Sequence, residues 1–402
     1  MRIGMMADIY KPHISGVTHH IALNKACFEK AGHEVYVFTF GEDLPGDSES
    51  HVIHSPGVPI RDTGYNFGLW HNRSARRLIE SMDLVHVHHP FVSGQLALHY
   101  CRPKGIPVVF TNHSRYDLFA HAYIPGLPDQ VGEALLQVYI PSFCRDVDLV
   151  IVPSEGVKGV MQAFGVDAPI EVIPNGVELG PFRESVRPMD RSGLGIPRSD
   201  VLIIYVGRLS PEKNLRDLLQ AFLGVVDAYP EVSLMIVGEG PDLESLRHEA
   251  SRSRAPGKIV LTGLVEYSRI PSYLAAADIF ATPSISEVHP LSVIEAMAAG
   301  LPVVGIQAPG VADVVVNGFN GLLSANALAA FTAHLTRIVG DVDLRRRLAR
   351  NARASSDAYD IDRTSGLLLR RYAELIESTM RSRDGSHPEA SPERERGSLD
   401  PP

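Results

Sequence analysis

Nine residues, Glu287-Val288-His289-Pro290-Leu291-Ser292-Val293-Ile294-Glu295, place two carboxylates around an expected helix start. Pro290 suits the first helical position, whose N–H has no partner to lose. Gly300 and Pro302 suit the stop after Ala296-Met297-Ala298-Ala299. Glu287 is then expected in the entering loop, with Glu295 about 7.5 Å further along the axis at ~1.5 Å per residue. Between them, the N–H groups of Leu291, Ser292 and Val293 sit at the positive end of the helix dipole. Such a terminus takes a phosphate, and the flanking carboxylates can grip hydroxyls on either side of it. The arrangement suits a sugar nucleotide.

A second segment, Gly207-Arg208-Leu209-Ser210-Pro211-Glu212-Lys213, follows the apolar run Val201–Val206. Ser210-Pro211 is an N-cap and first-turn signal for the next helix, so Arg208 and Lys213 belong to a strand-to-helix loop. Two cations there could neutralise a diphosphate, the guanidinium forking onto two oxygens. The plainer reading is a pair of surface charges beside Glu212; the helix terminus downstream favours phosphate. Val237-Gly238-Glu239-Gly240-Pro241 lacks the third glycine of a dinucleotide fingerprint and reads as a tight turn. Thr262-Gly263-Leu264-Val265 could offer backbone groups to a base edge.

In the first half, Ile14-Ser15-Gly16-Val17 precedes a helix expected from near Thr18, and Gly16 either lets a ligand approach the backbone or serves a turn. His113, in Thr111-Asn112-His113-Ser114-Arg115-Tyr116, falls at the carboxyl end of a strand and could meet a sugar hydroxyl or share protons. His86 and His88 alternate onto one face of a strand, yet no carboxylate or cysteine cluster accompanies them, so they read as structural and no metal is expected. The pairs Asp146/Asp148, Asp341/Asp343 and Asp360/Asp362 are poorly placed for a metal-bound diphosphate. No G-x-S-x-G elbow or P-loop occurs, which removes support for acyl transfer and ATP-driven phosphoryl transfer.

These residues need a scaffold that brings strand ends together. Short apolar runs alternate with helix-length stretches: Ile3–Met6, Val35–Phe40, Leu84–Val87, Val108–Thr111, Leu149–Val152 and Glu171–Ile173, then Val201–Val206, Ser233–Val237, Ile259–Thr262, Ile279–Thr282, Pro302–Ile306 and Gly321–Leu323. Two such series predict an α/β chain with two doubly wound, Rossmann-like domains whose ligands bind beyond the strand carboxyl ends, in a cleft. At 402 residues the chain exceeds one core's usual span of about 250–300. Ile173-Pro174-Asn175-Gly176-Val177 reads as the junction. The expected division is 1–180, 181–365, a helix over 366–381, and a disordered tail over 382–402 rich in Ser, Pro, Glu and Arg.

A formal charge of -9 argues against nucleic acid as a partner. Cys27, Cys101 and Cys144 are scattered and read as reduced thiols. No run reaches the ~18–20 apolar residues of a membrane span, and no signal-peptide core opens the chain. A cytoplasmic protein is expected, with contact at the inner face of the cell membrane left open.

Together these residues resemble the retaining GT-B glycosyltransferases of family four, over roughly Arg2 to Met380. The specific elements are Glu287/Glu295 and Gly207-Arg208 with Lys213; Ser15-Gly16-Val17, the Asp83–His89 strand end, His113 and Ile173–Val177 match more weakly. The resemblance implies Arg208 and Lys213 on the donor diphosphate, Glu295 on the ribose, Glu287 on the transferred sugar, and His113 on a sugar hydroxyl from the opposite domain. It implies a donor site of Gly16, Gly207, Arg208, Lys213, Leu264, Val265, Glu287, Pro290, Leu291, Ser292 and Glu295, with His113, Glu287, Arg208 and Lys213 catalytic. No cofactor is implied, and the last helix, through Leu367–Ile376, returns to the first domain. Two departures stand out: Ser15-Gly16 replaces the family's frequent glycine pair, and Val288-His289 follows Glu287 where Phe or Gly is common. Retention is implied by a front-face reaction, consistent with the lack of an obvious carboxylate nucleophile.

For the acceptor, Tyr65, Phe67 and Trp70 precede Arg73, Arg76 and Arg77, a mixture suited to a membrane interface or to a sheet-covering helix with a solvated basic face. Residues 51–115 carry seven Lys/Arg against three Asp/Glu, a local +4. Asn112–Asp117 and the apolar stretch Leu118–Ile140 look like the diacylglycerol glucosyltransferases within the family. The expected reaction moves a hexose from a nucleotide-diphosphate sugar such as UDP-glucose to a lipid or other hydroxyl. An epimerase on the same fold and a non-catalytic nucleotide-sugar-binding regulator remain alternatives.

Overall fold

The computed structural model describes residues 1–11, 13, 15–41, 49–59, 66–118, 129–184 and 186–384. Ile14, Tyr65, residues 119–128 of the Leu118–Ile140 stretch, and the tail from 385 lie outside that set.

The first half contributes β1 (Arg2–Met6), β2 (Glu34–Phe40), β3 (Val52–Ser55), the short ribbon β4 (Val58–Pro59) and β5 (Asn66–Phe67), then β6 (Leu84–Val87), β7 (Val108–Thr111), β8 (Leu149–Val152) and β9 (Ile170–Val172). Seven of these form one parallel sheet in the order β3-β2-β1-β6-β7-β8-β9. The second half builds a parallel six-stranded sheet from β10 (Val201–Val206), β11 (Val232–Val237), β12 (Ile259–Gly263), β13 (Ile279–Thr282), β14 (Val303–Ile306) and β15 (Gly321–Ser324), ordered β12-β11-β10-β13-β14-β15. Val, Ile and Leu fill the central strands because both faces are covered, and each sheet separates two apolar cores. The chain is an α/β protein of two Rossmann-like units.

Chain order reverses at β1/β6 in one sheet and at β10/β13 in the other, the crevices where such sheets hold ligands. The units meet through named contacts. Asp313 accepts from Ser154 Oγ at 2.8 Å and from the Gly156 N–H at 2.9 Å. The His19 ring, on the first helix, lies 4.7 Å from that of Tyr267.

The closing helix, Ile361–Asp384, returns to the first sheet as expected. Tyr372 is fully buried there, edge-on to Phe28 at 5.8 Å, and its hydroxyl meets His86 Nδ1 at 2.5 Å. The two crossings between units run side by side: Val177 N–H donates to Tyr359 O, and Ile361 N–H to Val177 O.

Several expectations move. The first helix starts at Gly16, not near Thr18, because Ser15 caps it in a reciprocal box with Thr18. Ser210-Pro211 opens only a single turn, Pro211–Lys213; Asn214 then takes φ +53° and the long helix runs Leu215–Ala228. The helix between the carboxylates is Leu291–Ala298, so Pro290 is its N-cap, one residue outside the expected start. Pro290 O accepts from Val293 N–H at 3.0 Å, which takes one of the three amides expected to be free. No helix among the described residues is long and apolar enough to cross a membrane.

Candidate active site

Neighbouring strand ends set the site. β10 runs into Gly207-Arg208, and Tyr205, buried on that strand, donates from its hydroxyl to Arg208 O at 3.1 Å, pinning the loop. A side chain at Gly238 would overlap the Gly207 carbonyl, so that glycine serves close packing of two loops, the plainer of its readings. Arg208 is exposed, and no ion pair ties it to a described residue. Its charge, after burial, helps to hold His13 below the usual histidine range, which points Arg208 towards the first unit.

β13 leads to Glu287, and Lys213 Nζ donates to Glu287 Oε1 at 2.7 Å. Glu212 does not compete for the lysine; it accepts from Ser210 Oγ. Lys213, Glu287, His289 and Leu291 from one unit face Gly16, His113 and Arg115 from the other across a cleft of about 740 Å³, its open mouth included. The Leu291 and Ser292 amides open the helix at this wall, and no described residue bonds them.

Glu295, on the same helix, is 5% exposed. Its Oε1 accepts from the Tyr267 hydroxyl at 2.9 Å. Burial pushes its carboxyl up to about 7, partly offset by that hydrogen bond. Burial, then the nearby Glu295 charge, raises the Tyr267 phenol. Leu264 is 71% exposed on the loop after β12.

His113 hydrogen-bonds His88 across 3.1 Å, Nε2 to Nδ1, and packs against the His20 ring at 4.9 Å. Burial, followed by the nearby His20, His89 and His86, holds it well below the ordinary histidine range. A neutral ring suits hydrogen bonding to a hydroxyl better than donating a proton as imidazolium. Arg115 is locked to Asp117 by two bonds, at 2.8 and 2.7 Å, and reaches Ile285 O of the other unit at 3.5 Å.

The cleft thus joins cations, open helix amides and hydroxyl acceptors at two switch points, a layout fit for a pyrophosphate flanked by sugars. The family described as Glycosyl transferases group 1 matches residues 186–355, and Glycosyltransferase Family 4 matches residues 14–180. An alpha-monoglucosyldiacylglycerol synthase of Streptococcus pneumoniae is 30% identical over 338 residues, covering 80% of this chain and 75% of that protein. One of the same name from Acholeplasma laidlawii is 29% identical, covering 89% and 93%. The chain belongs to the group 1 glycosyltransferases.

Like other proteins of GT-B architecture, this glycosyltransferase superposes on the Anabaena protein HepE, solved with UDP-glucose, at TM-score 0.72 and 21% identity over 94% of this chain and 100% of that one. It also superposes on a sucrose-phosphate synthase from Thermosynechococcus elongatus at 0.75 and 20%, over 94% and 99%. At these identities the likeness carries the fold.

Of the residues singled out beforehand, Gly16, His113, Lys213, Glu287 and Leu291 line one cleft. Glu295 lies deeper under Tyr267, while Arg208 and Leu264 sit exposed on the loops after β10 and β12. Tyr267 and the His20 ring carry no sequence signal used above; His289, noted only as a departure after Glu287, has a buried Nδ1 without a hydrogen-bond partner, and His88, read as structural, lies with His20 behind His113. An aromatic just past a strand end was the available signal for Tyr267; nothing linear joins His20 to His113. In each Asp pair one carboxylate is taken up by backbone: Asp148 accepts from Val108 N–H, Asp341 caps the helix Val342–Ser355, and Asp360 accepts from Asp362 N–H.

Proposed function

We propose that this glycosyltransferase moves a hexose from a nucleoside-diphosphate sugar, UDP-glucose or a close relative, to the hydroxyl of a membrane lipid such as diacylglycerol, with retention and without a metal. The observation that carries the reading is the Lys213–Glu287 pair beside the open Leu291 and Ser292 amides, facing His113 across the cleft. Arg208, Lys213 and the helix terminus take the diphosphate; Glu295 takes the ribose; Glu287 and His113 hold the sugar. The region 1–180 is assigned to the acceptor, 181–365 to the donor.

In the step, the bond from the anomeric carbon to the phosphate oxygen breaks and the nucleoside diphosphate leaves with the electron pair. The acceptor oxygen bonds the same face, and its proton passes to the departing phosphate. Arg208, Lys213 and the amides stabilise the charge that develops there, which is where preorganised donors have most effect.

The lipid acceptor is supported by the names of the two relatives and by an exposed patch. Leu69 and Trp70 are 60% and 61% exposed, immediately before exposed Arg73, Arg76 and Arg77. The test is a donor screen of UDP-glucose, UDP-galactose, UDP-N-acetylglucosamine and GDP-mannose against diacylglycerol vesicles, with products read by mass spectrometry and proton NMR. An α-linked glycolipid from an α-linked donor supports it. An inverted linkage defeats the mechanism, and donor turnover without acceptor would mark an epimerase.

A further inference from the structure

We infer that His20, His88 and His113 form a binding site for a transition-metal ion of the zinc class, in the wall behind the donor cleft. They come from the first helix and from the ends of β6 and β7, and their ligand nitrogens all lie within 4.8 Å of one another. His88 Nδ1 and His113 Nε2 are 3.1 Å apart. Two imidazole nitrogens each ~2.05 Å from one tetrahedral ion would stand about 3.3 Å apart, so the spacing of this pair already fits and the rings need only turn to aim both nitrogens at the ion. The His20 ring closes the triangle, 4.9 Å from His113 and 5.6 Å from His88. Among the described residues no other group of His, Cys, Asp or Glu has this spacing.

The sequence pairs His86 with His88, but His86 is spoken for: Thr111 Oγ1 holds its Nε2 and Tyr372 its Nδ1. The fold substitutes His20 and His113. Burial keeps all three rings neutral, the form that ligates. The proton now shared between His88 and His113 moves to the other nitrogen of its own ring, so both lone pairs face the ion and none leaves the protein. His88 Nε2, buried and without a partner, is where His88 would carry its proton. That nitrogen lacks the acceptor which usually orients a metal-bound histidine, so occupancy is reversible and weaker than at a resident structural site. Because His113 also lines the cleft, a bound ion withdraws it from the donor sugar and acts as an inhibitor; this consequence rests on the function proposed above.

Cobalt(II) titrated into the full-length protein tests the site. One equivalent should develop the visible absorption of a nitrogen-ligated ion, and zinc should displace it. His20→Gln and His88→Gln should each weaken binding at least about tenfold, since losing even a group that only hydrogen-bonds a ligand costs about that much. His99→Gln, at an exposed histidine, should not. Circular-dichroism melts without metal verify that the variants fold. No absorption in the unmodified protein, or equal affinity in both triad variants, overturns the inference. UDP-glucose titrated with and without cobalt separates the two claims: cobalt bound at the triad with donor affinity unchanged keeps the metal site and removes His113 from the donor sugar.

Discussion

Lys213 and Glu287, 74 residues apart, are joined by a 2.7 Å hydrogen-bonded ion pair whose side chains are 17% and 21% exposed. Each stands on the loop after one of two adjacent strands, β10 and β13, so pairing of those strands sets the distance between the charges. The pair holds both side chains at the cleft before any donor arrives. On the function proposed above, a diphosphate entering there would share Lys213 and leave Glu287 an open acceptor for a sugar hydroxyl.

Lys213→Ala and Glu287→Ala are each expected to lower kcat by about 10²–10³, the scale of removing one preorganised donor. Lys213→Arg should retain more activity than Lys213→Ala. Steady-state kinetics on folded protein measure this; losses under threefold would remove both residues from the transition state.

Donor affinity should depend on pH through Glu295. Burial pushes its carboxyl up to about 7, and on the function proposed above only the ionised form would accept from both ribose hydroxyls. UDP-glucose binding should therefore strengthen from pH 6 to pH 8 and weaken by up to about tenfold per unit below 7. Calorimetry across that range should show the slope, and Glu295→Gln should flatten it.

The same shift bears on stability. A carboxyl raised from 4.5 to about 7 on folding penalises the native state once ionised. The penalty is absent below 4.5, grows as pH rises, and is complete above about 7, roughly 3 kcal/mol at ~1.36 kcal/mol per unit. Glu295→Gln should raise Tm at pH 8 and have little effect at pH 4. A lowered Tm at pH 8 would contradict it.

Tyr267→Phe removes the donor that favours ionised Glu295. The midpoint of the affinity profile should move to higher pH, readable in the same titration. An unmoved midpoint would mean the phenol does not govern that carboxyl.

Asp313 accepts Ser154 Oγ, Gly156 N–H and Gly310 N–H, at 2.8, 2.9 and 2.8 Å, and so ties the two units together. Asp313→Ala orphans all three donors and should cost roughly 2–4 kcal/mol in urea denaturation. Asp313→Asn should recover part of that by keeping one carbonyl oxygen.

Much of this was legible in order of residues alone. Val201–Val206 and Leu149–Val152 are runs of Val, Leu and Ile broken only by Tyr205, the pattern of strands covered on both faces. Val52–Ser55 escaped notice because an edge strand, half solvated, mixes His and Ser into its run. The start of the first helix was misplaced because its capping box uses Thr18 where Glu or Gln is the usual signal.

The chain's order of residues determined the two sheets, the helix terminus between Glu287 and Glu295, and the loop bearing Arg208 and Lys213, because hydrophobic period and turn chemistry are local. Only the tertiary structure decided that Lys213 meets Glu287, that Tyr267 covers Glu295, and that three histidines from distant segments converge. Those contacts depend on strand order and on how two sheets face each other, neither of which any short window of residues encodes.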